Sequence, residues 1–317
     1  MMCAIAVPTA PAQDALRIGV LEFGTVNWEL DVIHRHALAE REGVPIEITR
    51  FASKEAAGIA LQANAVDVIV TDVFQVSRQR YNGENLVFAP HSLAVGGMML
   101  NPAAGIDSLD DLDAQKIGVA GGPDDKSWLL LRAYTLEEYG TDIAQQVEPV
   151  FGAPPLLNEL LLNGELSGVL NYWHYNARLA AAGMQRGVAV DALLPALGIT
   201  QVPPLLGWTF REPFAREHRD WIDGFLAAST AAKKILLESD VEWNRLRPLM
   251  QVNNDAEFIA LRDDYRAGIP REGNREAEKA ARQTYAVVAR IADDALTAGR
   301  PELAPGTFWN PGEAERR

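Results

Sequence analysis

The sequence predicts an α/β protein of two lobes, each a mostly parallel sheet flanked by helices, with the chain crossing twice between them. Three observations carry this prediction. From residue 17 onward, short apolar runs alternate with stretches of helical periodicity, the pattern of repeated strand–helix–strand units. That pattern is interrupted twice, at Asn101-Pro102 and at Gln201-Val202-Pro203-Pro204, as expected when one lobe is inserted into another. Finally, 317 residues, 48% hydrophobic and 23% charged, suffice for two domains with buried cores. Lobe 1 is then expected at residues 14–100 plus 206–317, and lobe 2 at residues 101–205.

In lobe 1, residues 17–23 read as a strand. Asn27 then caps a helix in which Val26, Leu30, Ile33 and Ala37 recur at helical spacing, and Gly43 stops it. Residues 45–51 are the next strand, and Ser53 caps a helix running to about Asn64. A third strand at residues 66–70 ends at Thr71-Asp72 with a helix beyond, and residues 86–100 form one long β-rich stretch.

Lobe 2 begins with a helical turn at residues 108–112 and a strand at 116–120. Gly121-Gly122-Pro123-Asp124-Asp125 leads into a helix from Lys126 to Tyr139, closed by Gly140. A strand at 147–151, a helix at 156–162, a strand at 167–170 and a helix from Tyr172 to Gly183 follow. After the second break, residues 205–210 read as a strand. The remainder is helical, with a long amphipathic segment at 274–296.

Composition excludes several functions. Net charge is −14 with no cluster of Lys and Arg, the wrong sign for a nucleic-acid binder. The longest apolar runs, such as residues 156–162, are broken by Asn158 and Glu159 and fall short of the ~20 residues of a membrane span. His34 and His36 are two apart on one helix and point to different sides, while His91, His174 and His218 are scattered. No Gly-x-Ser-x-Gly elbow, His-Glu-x-x-His motif or cysteine cluster occurs, which gives an enzyme no support without excluding one, and no cofactor is expected.

Cys3 is the single cysteine, within an apolar run at residues 1–7 followed by Ala10-Pro11-Ala12, a small-x-small cleavage pattern. Residues 1–12 are therefore expected to be the remnant of a signal peptide whose basic start lies further upstream. The mature chain would then carry no cysteine, which suits an oxidising compartment. A disordered apolar N-terminus and a lipid anchor on Cys3 are the alternatives.

In open α/β sheets, ligands sit beyond the carboxyl ends of the strands, so the loops after the strands should face one cleft. After the first strand, Gly24 permits a tight turn, and Thr25, Asn27 and Trp28 offer N–H groups and an aromatic face. The other reading makes Trp28 lobe core. Thr71 and Asp72 stand after the third strand, where Asp72 is either a ligand contact or only a helix cap. Gly122, Asp124 and Lys126 are the counterpart in lobe 2, with Asp124 and Asp125 alternatively capping the helix.

Asn171-Tyr172-Trp173-His174-Tyr175 gathers three aromatics and an imidazole in one turn. Asn171, Tyr172 and Trp173 would stack on a flat ligand or enclose a cation, or else pack under the lobe. His91, in the long β-rich stretch, joins the ligand-contact candidates, although lone histidines are more often structural. Trp28 and Trp173 should face each other across the cleft, with Asp72 at its base. Near these loops Glu22, Glu29, Asp31, Asp72, Asp124 and Asp125 are acidic and Lys126 is the only base. That balance favours a neutral, zwitterionic or cationic small molecule over a simple anion.

Four segments, in order, carry a family resemblance. They are Gly24-Thr25-Val26-Asn27-Trp28 after a strand, Ala65-Val66-Asp67-Val68-Ile69-Val70-Thr71-Asp72, residues 108–119 (SLDDLDAQKIGV), and Leu162-Asn163-Gly164-Glu165-Leu166-Ser167-Gly168-Val169-Leu170. Together they resemble the nitrate/sulfonate/taurine-type (NitT/TauT-like) substrate-binding proteins of ABC importers. The resemblance implies the type II periplasmic binding fold and a small molecule held between lobes without catalysis. It further implies a periplasmic location, a monomer, and an ABC transporter permease as partner. Enzymes of thiamine-pyrimidine synthesis resemble the same fold; that alternative needs a cofactor-binding lysine in the cleft, for which Lys126 is the candidate. A third alternative is a periplasmic metal-binding protein using Glu22, Asp72, Asp124 and Asp125 as oxygen ligands.

Overall fold

The computed structural model describes residues 14–271, 273–292 and 294–310. The leader, its cleavage pattern and Cys3 lie outside them. Leu16, Ile18 and Val20 alternate inward along the first strand, β1 (Leu16–Leu21), which pairs in parallel with β2 (Ile46–Phe51) and β3 (Val68–Asp72). Beyond β3 lie β10 (Leu206–Arg211) and β4 (Leu86–Ser92), giving the order β2-β1-β3-β10-β4. The second sheet has the order β7-β6-β8-β5-β9, from β5 (Gly97–Leu100), β6 (Lys116–Ala120), β7 (Glu148–Gly152), β8 (Gly168–Asn171) and β9 (Gln185–Ala189). In each sheet one strand runs against its neighbours, β10 in the first and β5 in the second. Both are the strands that have just crossed from the other lobe, so each crossing delivers the reversed strand.

The two-lobed α/β architecture is as the sequence predicts, but the first crossing is displaced. Residues 86–100 are two strands in different sheets, and the chain crosses at residues 93–96, ahead of the break at Asn101-Pro102. Residues 97–100 thus belong with lobe 2. Both strands are buried, so no change of pattern marks the passage. A glycine does: a Cβ on Gly96 would lie 2.0 Å from the Asn171 carbonyl oxygen, so only glycine lets the crossing segment pass β8. Strand β9 was not expected from the sequence.

Helices cover both sheets. Those of lobe 1 are α1 (Val26–Arg35), α2 (Leu38–Arg41), α3 (Lys54–Gln62) and α4 (Val73–Tyr81). Lobe 2 contributes α5 (Lys126–Tyr139), α6 (Pro154–Leu162), α7 (Trp173–Ala181) and α8 (Val190–Leu193). After β10 come α9 (Glu212–Glu217), α10 (Arg219–Glu238), α11 (Asp240–Met250), α12 (Asp255–Ala267), α13 (Asn274–Val288) and the short α14 (Asp294–Thr297). Ser53 caps α3 as predicted, accepting from the Ala56 N–H at 3.2 Å. The segment expected as one helix at 274–296 ends at Val288.

Two of the C-terminal helices reach across to lobe 2: α12 packs on α7 and α13 on α5. One apolar cluster is continuous through both lobes, joining Phe74 and Phe88 to Leu129, Leu130 and Tyr285. The cleft therefore lies between lobes already seated on each other, with its floor at the crossing segments.

Candidate functional site

At the end of β1 the chain turns into α1, with Thr25 in the capping position. Asn27 does not cap. Its amide donates to the carbonyls of Leu21 at 2.8 Å, Glu22 at 3.3 Å and Gly24 at 2.8 Å, tying the loop into a fixed turn. Trp28 is 5% exposed and is lobe core, packed edge-on against Trp243. The predicted meeting with Trp173 does occur: their ring centroids are 6.2 Å apart in a T-shaped contact, and Tyr265 joins both rings.

On the lobe 2 side, Asn171 is buried and structural. Its amide donates to Pro154 O at 3.0 Å and Asn158 Oδ1 at 2.8 Å, and its own oxygen accepts from the Tyr172 N–H. Trp173 opens α7 and is only partly buried, so its indole is the aromatic face lobe 2 presents at the interface. Burial, with Asp125 and Asp72 nearby, pushes the Tyr172 phenol up to about 12. Burial, then Arg178, pulls the neighbouring His174 down to about 4.

Asp72 and Lys126, assigned separately to the ligand by sequence, find each other. The Lys126 ammonium donates to Asp72 Oδ2 at 3.2 Å across the cleft, while Asp72 Oδ1 caps α4 by accepting from the Gln75 N–H at 2.9 Å. Burial would raise this carboxyl, but Lys126 and the Gln75 N–H hold it below its ordinary value. Asp125, not Asp124, caps α5, accepting from the N–H groups of Ser127 and Trp128. Gly121 and Gly122 both have positive φ, and Gly122 has open space where a side chain would stand. Thr71 lies within β3 opposite Gly207. Among the described residues no three His, Cys, Asp or Glu side chains gather, so Glu22, Asp72, Asp124 and Asp125 do not form the oxygen-ligand metal site.

Where the lobes meet at the crossing there is a cavity of about 30 Å3. Lobe 1 lines it with Thr25, His91, Lys233 and Tyr265, and lobe 2 with Trp173. Three residues singled out in the sequence thus share one wall. Of the others named there, Gly24, Asn27, Trp28, Thr71, Asp72, Gly122, Asp124, Lys126, Asn171 and Tyr172 stand outside that lining. A larger cavity of about 260 Å3 adjoins Trp173 along the crossing segment and β9.

Behind the small cavity lies a buried charge cluster that sequence reasoning missed. Lys233, on α10, contacts Glu29 Oε1 at 2.9 Å and Oε2 at 2.8 Å, Ser229 Oγ at 2.8 Å and His91 Nδ1 at 3.0 Å. Glu29 also accepts from Ser229 at 2.5 Å and from the Tyr265 hydroxyl at 3.1 Å. Burial would raise the Glu29 carboxyl, but Lys233 above all keeps it below the usual range. Burial, then the Lys233 charge, pulls His91 down to about 3, so this imidazole is neutral. Lys233 is the lysine in the cavity wall, and its ammonium is held by Glu29, Ser229 and His91. The only sequence signal was the helical spacing of Ser229 and Lys233, which says nothing of a partner 204 residues away.

Two further ion pairs join the lobes beside Trp173. Arg178 on α7 pairs with the buried Glu257 of α12, and Arg186 on β9 with Asp264 at 2.8 Å.

Neither a protein-family model nor a curated protein matches the sequence. The fold is nevertheless shared with solved structures. The periplasmic aliphatic sulphonate binding protein SsuA from Escherichia coli matches with a TM-score of 0.74 over 95% of this chain and 93% of that one, at 19% identity. An ABC transporter structure from Parabacteroides distasonis matches at 0.71 over 94% and 100%, with 12% identity. The alkanesulfonate-binding protein SsuA from Xanthomonas axonopodis pv. citri bound to MOPS matches at 0.69 over 95% and 99%, with 15% identity. At these identities the likeness establishes the two-lobed, type II binding-protein fold.

Proposed function

We propose that this chain is a non-catalytic solute receptor that closes its two lobes over one small molecule and delivers it to the permease of an ABC importer. The observation that carries the reading is the cavity at the crossing, walled by Trp173 of one lobe and by Thr25, His91 and Tyr265 of the other. Its 30 Å3 is about the share of a single water, whereas small-molecule sites run to ~300 Å3 or more. Admitting a solute into that cavity, as opposed to the adjoining one of about 260 Å3, requires the lobes to part at the cleft, the hinge motion of a receptor. Binding components of importers are among the proteins that share the fold, which supports the same reading.

The charges favour a neutral or zwitterionic solute. Four of the six acidic residues counted near the loops have partners within the protein: Glu29 on Lys233, Asp72 on Lys126, Asp125 on the start of α5, Asp31 on Arg245. Those four are not surplus charge for a free cation, and Lys233, the one base in the cavity lining, is already held by Glu29, which leaves no unpaired base in that lining for a simple anion. Export to the periplasm, as a monomer cleaved after Ala12, belongs to this proposal. Mature protein from the native host would begin at Gln13, and cytoplasmic protein with Met1 intact would contradict it.

Native mass spectrometry of freshly purified protein tests the central reading. The expected result is an excess mass of one small molecule that disappears on unfolding. Identical native and unfolded masses from native-host extracts, with no solute captured, would count against a receptor.

A further inference from the structure

The hydrogen-bond cluster behind the cavity leaves only one consistent placement of protons. Lysine and the indole N–H are donors only, and a carboxylate is an acceptor only. Trp208 Nε1 donates to Ser229 Oγ at 3.0 Å, Lys233 donates to the same oxygen, and the Ser229 hydroxyl proton is thereby directed to Glu29 Oε1. Tyr265 donates to Glu29 Oε2. Lys233 Nζ, 3.0 Å from His91 Nδ1, has no acceptor capacity, so Nδ1 must accept. The proton of the neutral ring is then on Nε2. His91 is 4% exposed, lines the interlobe cavity, and among the described residues Nε2 has no hydrogen-bond partner. Charged and titratable groups face the ring from α1 (Glu29), α10 (Lys233) and α12 (Tyr265), and each is already committed to the cluster.

We propose that Lys233, oriented by Glu29 and Ser229, is a positioning residue that locks His91 as the Nε2–H tautomer, and that the solute docks an acceptor oxygen on that N–H. The second half rests on the receptor reading; the first does not. A histidine without such a neighbour interchanges tautomers and reads as donor or acceptor at need. Here the lysine removes the choice. The cavity wall becomes a fixed donor, and the adjoining Thr25 at the start of α1 adds a second group suited to an oxygen.

Nitrogen-15 NMR of the imidazoles in the full chain tests the lock directly. The wild type should show His91 protonated at Nε2 alone, without titration between about pH 5 and 8. Protonation at Nδ1, or a midpoint near the ordinary histidine value, would overturn the lock. Lys233→Met should release it, giving a mixture of tautomers. Should the unpaired Glu29 unfold that variant, Glu29→Gln with Lys233→Met removes both charges and should give the same mixture. A single Nε2–H state persisting in the double variant would mean that Lys233 does not position the ring.

Acetate and methylammonium, added at equal ionic strength, test the docking half. Acetate should move the His91 Nε2–H resonance and methylammonium should not. Equal shifts, or none with acetate, would overturn it. A solute seen by mass spectrometry that binds His91→Phe as tightly as wild type would sink this inference while leaving the receptor standing. A locked tautomer in a protein that captures no solute would do the reverse.

Discussion

Removing the Trp173 indole takes away the face that lobe 2 offers both to the cavity and to Trp28 and Tyr265. Trp173→Ala should weaken solute binding by about thirty-fold, the roughly 2 kcal/mol of a lost aromatic anchor, while the half-buried position lets the fold survive. Near-native affinity by calorimetry would show the ring to be packing only. Asn171→Ala should do the opposite, lowering stability by about 1–3 kcal/mol through the unsatisfied groups of Pro154 and Asn158. Thermal unfolding checks that. These two neighbours were indistinguishable in the sequence, because the partners that make Asn171 structural lie on α6, remote in the chain. The Glu29–Lys233 pair was illegible for the same reason. Glu29 and Asp72 were counted there as uncompensated negative charge, and only the fold shows which cations neutralise them.

The helices that close the cleft differ in how strongly they are tied. Glu257 is buried beneath Arg178, so Glu257→Gln leaves a guanidinium poorly paired and should destabilise the α7–α12 contact by ~3 kcal/mol. Arg186 is half exposed, and Arg186→Ala should cost under ~1 kcal/mol, less still at high salt. Denaturant unfolding of both variants at low and high salt separates the cases, and equal costs would contradict the assignment. The crossing itself shows why residues 86–100 read as one long β-rich stretch with no break inside it. Hydrophobic pattern reports burial, and Met98, Met99 and Leu100 are as buried in the second sheet as Val87 and Phe88 are in the first. The element break is set by Gly96 and its close approach to Asn171, a tertiary fact.

At the scale of the whole molecule, the alternation of strand and helix was legible because α/β units are local, and the insertion of one lobe was legible from two breaks. The position of the first crossing was not. The fold also sets an acid limit. His91 and His174 are neutral in the folded protein, with pKa values pulled to about 3 and about 4, while the unfolded chain protonates near the ordinary histidine value of 6.5. The unfolded state thus binds more protons as pH falls below 6.5. Stability from each buried imidazole is fully present above that pH and is lost on the way down to its folded value. The slope is at most about 1.4 kcal/mol per pH unit per histidine. His174→Phe should flatten the acid limb of a stability–pH curve, and an unchanged slope would mean His174 is not held neutral.

Small-angle X-ray scattering reads lobe closure over a solute directly. Protein stripped of solute by unfolding and refolding is compared with the same protein after the solute identified by mass spectrometry is restored at saturation. The radius of gyration should be smaller with solute, because Trp173 on one lobe and Thr25, His91 and Tyr265 on the other must come together around it. An unchanged radius at saturation would contradict closure and leave the cavity at the crossing without the role given to it.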